Sequence, residues 1–263
     1  MSATTGLTSG VAAQPSAPTG DFWFRRPPNS LQVMEPVPLA ESLAAHIVEL
    51  FREGLSRRPY LVVTTSSGRT LRPAYARLRE QYRSAVEWSR IVCVQMDEYL
   101  GIGAADPRST AFELQHEFIE PLGIGRFIRF QDSAGVASCT PAEFEQQVLS
   151  LGGIDCAVHG VGRNGHIGFN EPGAPAQFVT RTVTLAESTR IANGVDFRMG
   201  VTLGLGVLGN ARVSVVVLRG AEKRSAAEAL LFHPVGPENP VGHLRSCAQV
   251  SVYIDRDAAP PGL

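Results

Sequence analysis

The chain is expected to fold as an α/β three-layer sandwich around a mostly parallel sheet. Three observations carry that expectation. Short β-branched apolar runs alternate with amphipathic stretches along most of the 263 residues, the pattern of successive β–α units with helices on both sheet faces. The run starting at Ile154 breaks into a loop with glycines at 160, 162, 165, 168 and 173. Within that loop Asn164, His166, Asn170 and Glu171 fall inside eight residues, and open α/β sheets place such polar clusters beyond the carboxyl ends of their strands.

Composition sets the outer bounds. Hydrophobic residues make up 44% and charged residues 19%, globular values that supply a sizeable core. The net charge of −1 gives no nucleic-acid surface. No run of 18 apolar residues is present, so no membrane span is expected. The N-terminus lacks a cationic start followed by an apolar core, so no secretory signal is read. Cys93, Cys139, Cys156 and Cys247 show no CxxC spacing and read as reduced thiols of a cytoplasmic protein, with no zinc site.

Residues 1–20 are small and polar and cannot offset their ordering entropy; residues 1–36 are assigned to a largely disordered tail and 37–257 to a single α/β domain. Within 21–36, Phe22, Trp23 and Phe24 suit an edge strand or a docking arm. Leu39, Leu43, Ile47, Phe51 and Leu55 recur every four residues, which predicts a helix over 38–56. Tyr60–Thr65 is a buried strand, and Ser66–Thr70 leads into a helix at about 70–83, a weak anion-site signal from free N–H groups and the helix dipole. Arg90–Met96 is a strand that runs into the paired carboxylates Asp97 and Glu98. Asp106-Pro107 reads as N-cap and first helical residue of a helix through about Ile119. Phe127–Phe130 is a short strand, and Thr140–Glu143 is a capping box that opens a helix over 141–150. Past the central loop, Phe178–Thr184 reads as a weak strand, and the stretch 187–210 is rich in Gly and Thr with a helix expected around 201–208. Arg212–Leu218 is a strand, a helix follows to about 231, Asn239-Pro240 opens a short helix, and Gln249–Ile254 is the last strand. The alternation is Rossmann-like.

The motifs Met96-Asp97-Glu98-Tyr99 and Gly162-Arg163-Asn164-Gly165-His166-Ile167-Gly168-Phe169-Asn170-Glu171-Pro172 resemble those of the glucosamine-6-phosphate deaminase (isomerase) family, which shares its fold with 6-phosphogluconolactonase. The resemblance spans roughly 37–255 and is weaker at Ser67–Thr70, Ser188–Arg190, Val201–Gly204 and Gly220–Lys223. It implies conversion of an amino-sugar 6-phosphate, gluco or galacto, to a ketose 6-phosphate with release of ammonia and without metal or organic cofactor. It implies that Asp97 shuttles a proton between C1 and C2, that His166 opens the sugar ring, and that Glu171 supports the histidine. Asn164 stands where other members carry Asp or Asn, leaving the imidazole one acidic partner. Ser67, Gly68 and Thr70 match the phosphate loop, Gly162 belongs to the Gly-rich loop that lines the substrate, and Lys223 matches a phosphate-binding lysine. The partner implied is a small-molecule amino-sugar phosphate, and self-association into a homo-oligomer is compatible with it.

These residue types suit that chemistry. A carboxylate held within about 3 Å of two adjacent carbons can take a proton from one and return it to the other. Imidazole titrates near neutrality, and a carboxylate beside it is expected to fix its tautomer and raise its pKa. Two departures from the family pattern stand out. A phosphate-binding arginine is absent at Val195, with Arg198 out of register, and the first loop carries Gly68-Arg69 in place of two glycines. Either Arg69 restores the lost charge and the phosphate is still held, or the substrate is not a standard 6-phosphate. Glu98 and Tyr99 are expected to position the loop, and His159 to be hydrogen-bonded at the sheet's end. The alternatives are a lactonase-type hydrolase, a sugar-phosphate sensor and a catalytically silent relative.

Overall fold

The computed structural model describes residues 30–174 and 178–263. Most of the tail assigned to 1–36, including the Phe22–Phe24 cluster, lies outside the described residues. Its end does not: Ser30–Met34 forms strand β1, paired in parallel with the last strand.

Helix α1 (Pro36–Arg57) turns Leu39, Leu43, Ile47, Phe51 and Leu55 inward, as their spacing predicts. Strand β2 (Leu61–Thr65) leads into α2 (Arg72–Gln81). Strand β3 (Ile91–Gln95) ends before Met96, and Asp97–Tyr99 form a separate strand, β4. Helix α3 (Thr110–Leu114) is capped by Ser109, whose hydroxyl accepts from the Phe112 N–H at 3.2 Å, and not by Asp106. Asp106 accepts instead from the Arg108 N–H and guanidinium. A π turn, Gln115–Ile119, carries the helix on into α4 (Glu120–Leu122). Pro121 has no N–H to return to the Glu117 carbonyl, and Arg79 donates to that oxygen at 2.6 Å. Strand β5 (Arg126–Ile128) and α5 (Pro141–Ser150) follow, the latter opened by the Thr140–Glu143 capping box. Then come β6 (Cys156–Gly160), β7 (Arg181–Thr184), α6 (Glu187–Asn193), β8 (Met199–Thr202), α7 (Leu205–Leu208), β9 (Val213–Leu218), α8 (Arg224–Phe232) and β10 (Gln249–Asp255).

Seven strands pair in parallel in the order β1-β10-β9-β6-β2-β3-β5. Their side chains alternate between two cores. Val62, Val216 and Leu218 join the cluster that includes α5 and α8 residues; Val63, Val215 and Val217 join the one that includes α1 and α2 residues. Burial on both faces explains why the strands read as continuous apolar runs. Three layers result. The remaining strands form an antiparallel sheet, β4-β8-β7. Strand β8 and helix α6 fall in the Gly- and Thr-rich stretch 187–210 without having been expected there, and the helix expected around 201–208 shrinks to α7. Gly200 has no propensity for a strand, but a Cβ there would lie 2.7 Å from the Phe169 ring, so packing dictates the residue.

From β2 the sheet grows through β3 and β5 on one side, then through β6, β9 and β10 on the other. The switch point therefore lies between β2 and β6, and the loop after β2 is tied to the carboxyl end of β6. The Ser66 N–H donates to the Val158 carbonyl at 3.0 Å, and the Gly160 N–H to Ser66 Oγ at 3.1 Å. Open α/β sheets bind ligands in that crevice. Among the described residues no helix is long and apolar enough to cross a membrane.

Candidate active site

Asp97 enters the site because β3 stops at Gln95 and the chain turns into β4. Its carboxyl is almost wholly buried, and burial, with Glu98 and Glu113 adding like charge, pushes its pKa up to about 7. Glu98 is buried too, with its carboxylate taken up by the start of α3. It accepts from the Thr110 and Ala111 N–H groups at 3.1 and 3.0 Å and from Gln95 Nε2 at 2.8 Å, so it anchors the start of α3.

The glycine-rich loop after β6 is clamped over Asp97. Phe169 donates its N–H to Thr202 Oγ1 at 3.1 Å, and Thr202 is the β8 partner of Asp97. Gly168 sits between them at φ +57°. A Cβ there would stand 2.7 Å from Thr202 Oγ1 and 3.3 Å from Asp97 Oδ2, so only glycine brings the loop this close.

Within the loop the hydrogen bonds assign the imidazole tautomer. A carboxylate only accepts, so the Asn164 amide must point its Nδ2 at Glu171 Oε2, 2.7 Å away. Asn164 Oδ1 then faces His166, accepting from the backbone N–H at 3.2 Å and from Nδ1–H at 2.8 Å. Nε2 of the neutral ring keeps its lone pair. Glu171 Oε1 is 3.6 Å from Nδ1 and also receives the Thr189 hydroxyl. The support expected from Glu171 thus reaches His166 largely through Asn164. The imidazole pKa is lowered, not raised: burial is the main cause, Lys223 adds to it, and Glu171 offsets only part.

The residues assigned to the phosphate cluster around the same crevice. Ser67 and Gly68 are half-buried in the loop after β2, and the Thr70 Cβ lies 3.2 Å from where a Gly160 Cβ would be. Gly162 gives its N–H to the His166 carbonyl at 2.9 Å and packs flat against the imidazole, so it shapes the loop and its amide is already engaged. Lys223 donates to the Val161 carbonyl at 2.6 Å. Burial lowers its pKa to about 8, Glu222 opposing and the charges of Arg163 and Arg69 adding to the fall. Arg69 is exposed, donates to the Ala192 carbonyl at 3.4 Å, and so shares one electrostatic neighbourhood with Lys223. Val195 packs with Tyr99, Phe169 and Leu185, which leaves no cation at that position.

His159 departs from expectation. It is fully buried, neither ring nitrogen has a hydrogen-bond partner among the described residues, and burial lowers its pKa to about 3, so it stays neutral. Three contributors escaped the sequence reading of roles: Thr189 on Glu171, Asn193 on the Tyr99 hydroxyl at 2.9 Å, and Glu113 on the first loop. Each lies on a helix distant in sequence from its partner, where no local pattern marks it. Among the described residues no three His, Cys, Asp or Glu side chains are grouped to hold a metal ion.

The family model for glucosamine-6-phosphate isomerases/6-phosphogluconolactonase matches residues 35–252. The glucosamine-6-phosphate deaminase of Streptomyces coelicolor is 34% identical over 235 residues, 85% of this chain and 90% of that protein. That of Streptomyces avermitilis is 32% identical over 234 residues, again 85% of this chain and 90% of that protein. A solved monomeric glucosamine-6-phosphate deaminase superposes with a TM-score of 0.78 at 27% identity, covering 87% of this chain and 98% of its own. The 6-phosphogluconolactonase of Trypanosoma brucei superposes at 0.70 with 22% identity, covering 87% and 97%, a likeness of fold.

Proposed function

Because the chain belongs to the glucosamine-6-phosphate isomerase/6-phosphogluconolactonase family, we propose that it is an amino-sugar-6-phosphate deaminase with Asp97 and His166 as its reacting groups. The observation that carries the assignment of residues is the clamp at Gly168, which holds the His166 loop against the carboxyl of Asp97.

The chemistry follows from the groups present. His166, with Nδ1–H bound to Asn164, offers Nε2 to the hydroxyl proton of the cyclic sugar and returns it to the ring oxygen as the ring opens. Asp97, poised near neutrality, takes the C2 proton of the open aldehyde and delivers it to C1. The C2 amine becomes an imine, water adds, and ammonia leaves as the C2 ketone forms. Arg69, Thr70 and Lys223 hold the far end of the sugar, and that remote grip orients the reacting carbons.

The test is to incubate the protein with glucosamine-6-phosphate, galactosamine-6-phosphate, the two unphosphorylated sugars and 6-phosphogluconolactone. The expected result is ammonia with stoichiometric ketose from at least one amino sugar. Lactone hydrolysis without ammonia release from any of them would assign the hydrolase activity instead.

A further inference from the structure

The first loop already holds an anion from its own chain. The Gly68 N–H, ahead of α2 at φ +97°, donates to Glu113 Oε1 at 2.7 Å, and Arg72 Nε donates to the same oxygen at 2.9 Å. A backbone N–H before a helix and a guanidinium are the donors that grip phosphate oxygens, and here both are on a carboxylate. Glu113 arrives from α3, 45 residues further along, with its side chain only 17% exposed. It also adds to the negative field at Asp97. The charges of Arg163 and Arg69 both reach Lys223. The loop therefore presents a cationic group beside a position that one carboxylate oxygen has filled.

We propose that Glu113 is a specificity-determining residue: its carboxylate occupies the Gly68 position, so a substrate phosphate competes with it, and the site favours a 6-phosphate over a 6-hydroxyl less than its cations alone would dictate. The sugar class rests on the function proposed above; the competition between Glu113 and phosphate does not. A phosphate entering the loop must move the carboxylate away from Gly68 or settle against it at like-charge cost. A hydroxymethyl group meets neither obstacle.

The experiment is a calorimetric titration of inorganic phosphate into wild type, Glu113→Gln and Glu113→Ala at constant ionic strength, with KM measured for glucosamine-6-phosphate and for glucosamine. Glutamine keeps an acceptor for Gly68 and Arg72, and alanine is the second variant should the first fold poorly; melting curves check both. Arg72→Ala serves as the control that breaks the same ion pair but leaves the carboxylate. The expected result is a phosphate Kd about tenfold or more tighter in the Glu113 variants and not in Arg72→Ala, with a parallel fall in KM for the phosphorylated sugar only. Equal or weaker phosphate binding in the folded Glu113 variants overturns the proposal. Absence of ammonia from every sugar would overturn the proposed function, and the phosphate titration would still decide the role of Glu113.

Discussion

A carboxyl group held at a pKa of about 7 is protonated and ionised in comparable amounts at neutral pH, which is what a proton shuttle requires. kcat/KM should therefore fall as pH drops below about 7, and Asp97→Asn should remove about 10² to 10⁴ in kcat while binding persists. Because the unfolded carboxyl titrates near 3.8, the native state binds the extra proton between that value and about 7, and stability declines as pH rises through this window. Asp97→Asn should then melt at a higher temperature than wild type above neutral pH, and a lower melting temperature would contradict the buried, charged state. At His166 the balance runs the other way. Burial lowers its pKa and Glu171 partly offsets the fall, so Glu171→Gln should depress the imidazole pKa further, readable from its ring proton resonances. The same variant should cost roughly 10²-fold in turnover, since the Asn164 amide loses the carboxylate that orients it.

At the scale of elements, the loop 161–171 works because two glycines give up their side chains to neighbours. Gly168→Ala would force a left-handed residue against Thr202 and Asp97. It should cost about 1–2 kcal/mol from backbone strain alone and, by displacing the loop about 1 Å, about 10²-fold in kcat. Circular dichroism melts and steady-state rates measure the two effects separately, and an alanine variant with native kinetics would show that the clamp does not set the geometry of the site. The helix α1, the parallel strands and the Thr140 capping box were legible because each obeys a local period or a cap signature. Strands β4 and β8 were not, because Asp97–Tyr99 and Met199–Thr202 are short and owe their conformation to each other and to β7. The cap of α3 was misplaced by three residues: Asp106-Pro107 has the right chemistry, but Ser109 and Glu98 together hold the actual helix start.

For the whole molecule the edge strand β1 closes the sheet over β10. Leu31 and Val33 pack on one core, and Ser42 donates to Gln32 at 3.0 Å, so this segment is part of the fold. Compared with a chain beginning at Ser30, one beginning at Glu35 should lose about 2–4 kcal/mol of unfolding free energy in denaturant, for the half-buried side chains of Leu31, Val33 and Met34 and one parallel ladder. Sequence alone determined the α/β alternation and the family, and it singled out Asp97, Asn164, His166 and Glu171 as the candidates, because these depend on residue type, period and contiguous motif. Only the tertiary structure decided that the histidine is lowered rather than raised, that Asn164 stands between it and Glu171, and that Glu113 fills the first loop. Electrostatic balance and hydrogen-bond partnership depend on burial and on groups tens of residues apart, and the chain reveals those only once the sheet has brought β2, β4 and β6 to one crevice.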